Sequence, residues 1–240
     1  TLLVHGSATG SLAGEVKWEL DLKALESPSA LLAAPFYSPS VPTTKLTTPI
    51  PMGVASGKIE VGARLLQLAD APLSLGHNWG HRHTPSYVWG QVAGQTGKGV
   101  LFFEGAGIPA PLARAPRKPK LTVGRVRFDG QDIDFNLPHS ILVNSSLVEL
   151  GSWSFEMRNL RWRLAGEIRW DHSLVAGLRY EQPRGDAVSC LNSMCAEATL
   201  KLSRKRLTGG SDVVAELHQK KHAALEFVTP DPDHGIEILV

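Results

Sequence analysis

The residues best suited to chemistry in this 240-residue chain lie together between Gly76 and Gln91. Three of its nine histidines and two of its six tryptophans fall in this stretch. Imidazole groups exchange protons near neutral pH, and indole rings offer flat apolar faces with one hydrogen-bond donor. A site built from them would suit an apolar ligand that carries a few polar groups.

If this stretch is extended, four of its side chains share one face of a strand: His77, Trp79, His81 and His83. Two interpretations are open. Tryptophan and histidine are often buried as structural groups with satisfied polar atoms, so the run could be scaffold. The combination of one asparagine, one tryptophan and three histidines in a turn-prone segment favours the other interpretation, a functional site.

A metal site is a further alternative for the histidines. On a strand, His81 and His83 would point their rings the same way, and His77 could be a third ligand. Cupins, which use such a pair, carry a glutamate a few positions later, whereas residues 84–91 contain no carboxylate. We therefore predict that no metal is bound.

The elements that position these residues are predicted to be strands. The 23 glycines and 16 prolines interrupt the chain often, which excludes long helices over most of it. Apolar and charged residues alternate without a fault over residues 16–23, and the same period recurs at 58–66 and 161–170. Asp129-Gly130, between two apolar runs, is a strong signal for a hairpin. Shorter predicted strands are 87–92, 100–104, 121–128, 131–135, 141–143, 152–157, 177–180, 196–202 and 236–240.

Three other segments determine the organisation. Residues 211–227 fit either a helix capped by Ser211 or a hairpin turned at Gln219-Lys220, and the surrounding strands favour the hairpin. The proline-rich residues 35–51 indicate a long loop. The proline-rich residues 106–120 indicate a linker, which predicts an N-terminal unit of residues 1–115 and a C-terminal unit of residues 116–240.

Composition excludes several classes of protein. The 25 basic and 23 acidic residues give a net charge of +2, too balanced for a nucleic-acid-binding surface. No apolar run approaches the length that spans a bilayer, which leaves peripheral membrane contact open. No signal-peptide pattern follows Thr1, so we expect any leader to have been removed, and the compartment, cytoplasmic or periplasmic, stays open. The oligomeric state is equally open.

The two cysteines, Cys190 and Cys195, do not have the spacing of a zinc or redox motif. A local disulfide is one interpretation. Two buried thiols that behave as small apolar residues are the favoured one.

Several short motifs resemble a known family. Gly76-His77-Asn78-Trp79-Gly80 and Tyr87-Val88-Trp89-Gly90-Gln91 resemble the asparagine-tryptophan-glycine turn and the following strand of the carotenoid 1,2-hydratase and tocopherol cyclase family of lipocalin-like proteins. In the C-terminal half, Arg179-Tyr180-Glu181-Gln182-Pro183-Arg184-Gly185, Cys190-Leu191-Asn192-Ser193 and Ala196-Glu197-Ala198 resemble segments near the end of related proteins.

The resemblance implies an all-β fold of two consecutive antiparallel lipocalin-like barrels or sandwiches with little helix. It also implies acid-catalysed addition to an isoprenoid-like double bond, as hydration or ring closure, without a cofactor. Such chemistry needs a proton donor in a dry pocket and aromatic faces that stabilise a carbocation. The candidate proton donors are His77, His81 and Glu104. The candidate ligand-binding residues are Asn78, Trp79, His83, Tyr87, Trp89, Gln91 and Phe103.

The sequence therefore leaves two functions open. The first is an enzyme of hydratase, cyclase or isomerase type that acts on a lipophilic, isoprenoid- or polyketide-like small molecule. The second is a lipocalin-like carrier that binds such a molecule without chemistry. A buried, titratable acid that faces the ligand distinguishes the enzyme from the carrier.

Overall fold

The computed structural model describes residues 2–10, 14–38, 44–81, 83–109, 118–182 and 187–239. About 70% of the structure is strand and 5% is helix. Its sheets are antiparallel, which confirms the predicted all-β fold class. None of the helices in the described ranges has the length and apolar character that a membrane-spanning helix needs.

The strands, in chain order, are β1 (Leu2–Gly10), β2 (Gly14–Ala24), β3 (Ser29–Ala30), β4 (Thr44–Val61), β5 (Arg64–Gly80), β6 (Tyr87–Thr96), β7 (Gly99–Ile108), β8 (Leu121–Phe128), β9 (Gln131–Asp134), β10 (Ser145–Glu149), β11 (Ser152–Arg158), β12 (Trp162–Arg169), β13 (Ala176–Glu181), β14 (Ala187–Lys205) and β15 (Ser211–Thr229). The one α-helix of these ranges is α1 (Pro138–Ile141), and 3₁₀ turns occupy Ala34–Tyr37 and His172–Leu174.

The clearest sequence patterns predicted their elements correctly. The alternating residues 16–23 lie within β2, and residues 161–170 bracket β12. Asp129 and Gly130 join β8 to β9 with φ of 47° and 73°. Positive φ at both positions is the conformation that a tight hairpin turn requires, and Asp-Gly adopts it readily.

Five predicted segments were wrong, wholly or in part. The predicted strand 58–66 is interrupted, because β4 ends at Val61 and β5 begins at Arg64. Residues 141–143 form the end of α1 and the turn after it rather than a strand, because Pro138 fits the first turn of a helix. Residues 211–227 form strand, as preferred, but as the single strand β15 rather than a hairpin. Residues 236–239 contribute one isolated bridge, from Ile238 to Gly177. The loop predicted over 35–51 is shorter than expected, because β4 begins at Thr44.

The chain forms two compact units, Thr1–Ala30 with Leu46–Asn78 and Leu31–Lys45 with Trp79–Val240. The boundary that we predicted near residue 115 falls in residues 110–117, outside the described residues, and stays a prediction. In the first unit, β2 pairs with β1 and β4, and β3 and β5 also pair with β4. A small core of Leu22, Ile50 and Ala55 accompanies these strands.

The second unit is built on a ten-stranded sheet. Its order is β10-β11-β12-β14-β15-β6-β7-β8-β9, and β13 pairs with β14. Phe103 of β7 stacks on Phe155 of β11 with ring centroids 4.7 Å apart, and Trp153 of β11 lies 6.2 Å from the same ring. Because β7 and β11 are far apart in the sheet order, the sheet must curl so that its two halves enclose a shared apolar core.

A row of glycines makes room for these aromatic rings. Gly90 of β6 lies opposite Gly105 of β7, which lies opposite Gly124 of β8. A Cβ atom on any of the three would meet a buried side chain of the core at 2.7 Å or less. The neighbouring residues point to the other face of the same strands, where the candidate site lies.

Candidate active site

Three adjacent strands build a polar row on the face opposite the aromatic core. Gln91 of β6 pairs with Glu104 of β7, and Glu104 pairs with Arg125 of β8. Because side chains alternate along a strand, these three residues share one face, and Gly90, Gly105 and Gly124 lie on the other. Trp89 lies two positions before Gln91 on β6, so its side chain is on the same face.

Glu104 is the centre of this group. Its side chain is fully buried. The indole Nε1 of Trp89 donates to Glu104 Oε1 at 3.3 Å, and the amide Nε2 of Gln91 donates to the same oxygen at 3.5 Å. Burial removes the carboxyl group of Glu104 from water, and both donors bind the same oxygen, Oε1.

Tyr37 lies near the same carboxyl group although it is distant in sequence. Burial raises the pKa of Tyr37, and the hydrogen bond from the Leu32 N–H lowers it. The negative charge of Glu104 also raises this pKa, and the positive charge of Arg125 lowers it. The ring of Tyr37 stacks on Trp79 with centroids 6.0 Å apart. Aromatic faces from Tyr37, Trp79 and Trp89 are therefore available in the unit that contains Glu104.

An ion-pair network continues the polar row towards the edge of the sheet. Asp132 of β9 accepts from Arg127 Nε at 2.7 Å and from Arg125 Nη2 at 2.8 Å, and Asp134 lies 3.2 Å from Arg125 Nε. Burial acts to raise the pKa of Asp132, but the hydrogen bond from Arg127 and the charge of Arg125 hold it below its ordinary value. Asp132 therefore stays ionised and supports both guanidinium groups.

A second carboxyl group lies on the same sheet face. Glu226 of β15 is opposite Trp89 in the strand register and opposite Asn192 of β14. The Tyr87 hydroxyl donates to Glu226, and Asn192 Nδ2 donates to Glu226 Oε2 at 2.7 Å. Cys190 lies beside this group. Its thiol has a raised pKa, first because it is buried and then because Glu226 is nearby.

The cysteine predictions are partly correct. Both thiols are free, and Cys190 is buried, as we favoured. Cys195 is exposed, so the prediction that both are buried was wrong.

The predicted histidines are dispersed. His77 and Asn78 are exposed at the end of β5 in the first unit, and His81 is exposed in the second. His83 contacts the ring of Tyr180 with centroids 4.6 Å apart, and its backbone N–H donates to Gln182. Across the described part of the chain, no three His, Cys, Asp or Glu side chains form a group that could hold a metal ion.

The structure thus brings some predicted site residues together and separates others. Glu104, Trp89 and Gln91 form one hydrogen-bonded group, whereas Tyr87 bonds to Glu226 and Phe103 points into the aromatic core. The catalytic and binding roles that we assigned to all these residues stay predictions.

Sequence reasoning missed Tyr37, Arg125, Asn192 and Glu226. Glu226 had a recognisable signal, because it is the one charged residue in the otherwise apolar residues 223–228. A carboxyl group at an alternating position of such a strand must be buried or partly buried. Asn192 lies in Cys190-Leu191-Asn192-Ser193, one of the segments that resemble the family, but nothing there marked it as a site residue. No local pattern distinguished Tyr37 or Arg125.

These features are consistent with a lipocalin-like β-sandwich or barrel. The chain belongs to the tocopherol cyclase-like family, whose sequence model matches residues 41–228. No curated protein and no solved structure matches the chain significantly. Membership of the family suggests a cyclase- or isomerase-type enzyme that acts on a lipophilic substrate.

Proposed function

We propose that the protein adds an O–H group across a carbon–carbon double bond of a lipophilic substrate, with Glu104 as the acid. If the O–H belongs to the substrate, the product is a ring and the enzyme is a cyclase. If it belongs to water, the enzyme is a hydratase. The family supports the first, because it is named for a cyclase.

The burial of Glu104 is the observation that carries this proposal. A carboxyl group with no exposed surface is well suited to protonate an alkene, since the resulting carbocation would be shielded from bulk water. His77 and His81, the other predicted proton donors, are exposed and lack this protection. We therefore assign the proton transfer to Glu104.

The surrounding side chains have complementary roles in this proposal. Trp89 and Gln91 both donate to Glu104 Oε1 and so hold the carboxyl group in one orientation. In the reaction, a proton leaves Glu104 and bonds to one alkene carbon, and the other carbon becomes cationic. The π faces of Trp89, Tyr37 and Trp79 stabilise that cation through their quadrupoles. An O–H oxygen then bonds to the cation and loses its proton.

A conservative substitution tests the role of Glu104. Glu104→Gln retains an oxygen that can accept from Trp89 but cannot supply an acidic proton. With 2-geranylphenol as the probe, mass spectrometry and chromatography separate ring closure, which leaves the mass unchanged, from hydration, which adds one water. We expect the wild type to convert the probe and the variant to lose at least about 100-fold in rate.

Glu149→Gln is the matched control, because Glu149 is an exposed glutamate of β10 in the same unit. We expect it to retain wild-type activity. Binding of the probe by the wild type without any conversion would support the carrier instead of the enzyme. Unchanged turnover by a folded Glu104→Gln variant would contradict the assignment of the acid.

A further inference from the structure

Glu226 and Glu104 flank the same tryptophan. Trp89 donates its indole N–H to Glu104, and the strand register sets Glu226 directly opposite Trp89 on the neighbouring strand. Both carboxyl groups belong to the sheet face that points away from the aromatic core. Opposed residues on adjacent strands have Cβ atoms about 5 Å apart, so Glu226 and Trp89 are direct neighbours on this face.

The groups around Glu226 orient its carboxyl group from two sides. Tyr87 donates from β6 to one oxygen, and Asn192 donates from β14 to Oε2. Tyr180 of β13 and Cys190 of β14 lie close enough for the charge of Glu226 to act on both. Unlike Glu104, Glu226 is only partly buried.

These neighbours keep their own protons. The pKa values of Tyr87 and Tyr180 are raised well above the ordinary range, first by burial and then by the charge of Glu226. The pKa of the Cys190 thiol is raised for the same two reasons. At neutral pH all three are neutral, so none of them can accept a proton readily. General-base chemistry commonly uses a carboxylate, and Glu226 supplies one to this cluster.

We propose that Glu226 is a second catalytic carboxylate, which accepts the proton of the attacking O–H group. This inference rests on the proposed function and adds the base that the addition reaction needs. Glu104 gives a proton to one alkene carbon, and the oxygen forms a bond to the other. The O–H bond then breaks and its proton passes to Glu226. One proton enters and one leaves, so no oxidant or other co-reactant is required.

The arrangement around Glu226 also has a purely structural alternative, in which Tyr87 and Asn192 merely tie β6, β15 and β14 together. The two roles differ in one measurable respect. A base acts after the alkene is protonated, so its loss should stop product formation while protonation continues. A structural residue would affect both events together.

Solvent deuterium separates these events. In D₂O, protonation of 2-geranylphenol followed by loss of a proton from an adjacent carbon leaves deuterium in the recovered probe. We expect Glu226→Gln to lower ring formation at least about 100-fold while deuterium incorporation persists. Glu216→Gln, an exposed glutamate on the same strand, serves as the control and should behave as the wild type.

A milder variant guards against a folding defect in Glu226→Gln. Tyr87→Phe keeps the aromatic ring and removes the hydroxyl that donates to Glu226. We expect it to lower ring formation about tenfold and to raise the ratio of deuterium incorporation to product.

The outcomes distinguish the two proposals. If the wild type forms product but neither variant changes the ratio of incorporation to product, Glu226 is not the base, and the proposed function stands. If Glu226→Gln loses incorporation and product equally, Tyr87→Phe decides: an equal loss in that variant as well overturns the role of Glu226, and a raised ratio of incorporation to product supports it. A wild type that shows neither event contradicts the proposed function and the role of Glu226 with it.

Discussion

Gly105→Ala should destabilise the second unit by overpacking its aromatic core. A Cβ atom at this position would lie 2.6 Å from Phe103 Cζ and 3.0 Å from the Val123 carbonyl oxygen. The backbone oxygen belongs to a strand ladder, and Phe103 is fully buried against Phe155 and Trp153. Neither contact can be relieved by moving one flexible group.

The magnitude follows from two opposing effects. Overpacking of a close-packed core costs about 1 to 3 kcal/mol. Alanine recovers about 0.5 to 1 kcal/mol relative to glycine in a strand, because the unfolded chain loses less entropy. Because both contacts are with groups that cannot move aside, the upper part of the overpacking range applies, about 2 to 3 kcal/mol, and we expect a net loss of about 1 to 2.5 kcal/mol in the free energy of unfolding.

Urea denaturation followed by tryptophan fluorescence measures this loss, since Trp153 lies in the affected core. Gly97→Ala is the matched control. Gly97 lies in the turn between β6 and β7, and its added Cβ would meet no atom within 4 Å. We expect the control to be neutral or up to about 1 kcal/mol more stable. A Gly105→Ala protein as stable as the wild type, with an unchanged dependence on urea, would refute the packing argument.

Two further predictions concern the ion-pair network and the exposed indole. Asp132→Asn should lose about 1 to 3 kcal/mol at pH 7, because Arg127 is buried and loses its charged partner. Since the folded pKa of Asp132 is depressed, this stabilisation is present above the unfolded value of about 3.9 and disappears as the pH falls through the folded value. Urea titrations from pH 7 to pH 3 should show the difference between the two proteins shrink, and a constant difference would contradict the pairing. Trp79→Phe should cost less than about 1 kcal/mol in the same assay, because 41% of the Trp79 surface is exposed, whereas a loss of several kcal/mol would indicate a buried structural role.

Local sequence patterns predicted the all-β class and many of the strands. Alternation of apolar and charged residues produced the correct prediction for β2 and β12, and Asp129-Gly130 marked its hairpin, because these signals depend on neighbours in the chain. The motifs around Asn78-Trp79-Gly80 also led to the family, which the match over residues 41–228 supports at the family level. Residues 211–227 were predicted as strand because strands surround them in the chain, although the turn predicted within them does not form.

The tertiary structure alone decided which side chains meet. Tyr87 and Glu226 are 139 positions apart in the chain, yet strand pairing between β6 and β15 brings them into hydrogen-bond contact. The sequence predicted a ligand-binding role for both Trp89 and Phe103, and the register places Trp89 against Glu104 and Phe103 in the core. A shift of one residue in register exchanges the two faces of a strand, and that register depends on long-range pairing that local sequence does not encode.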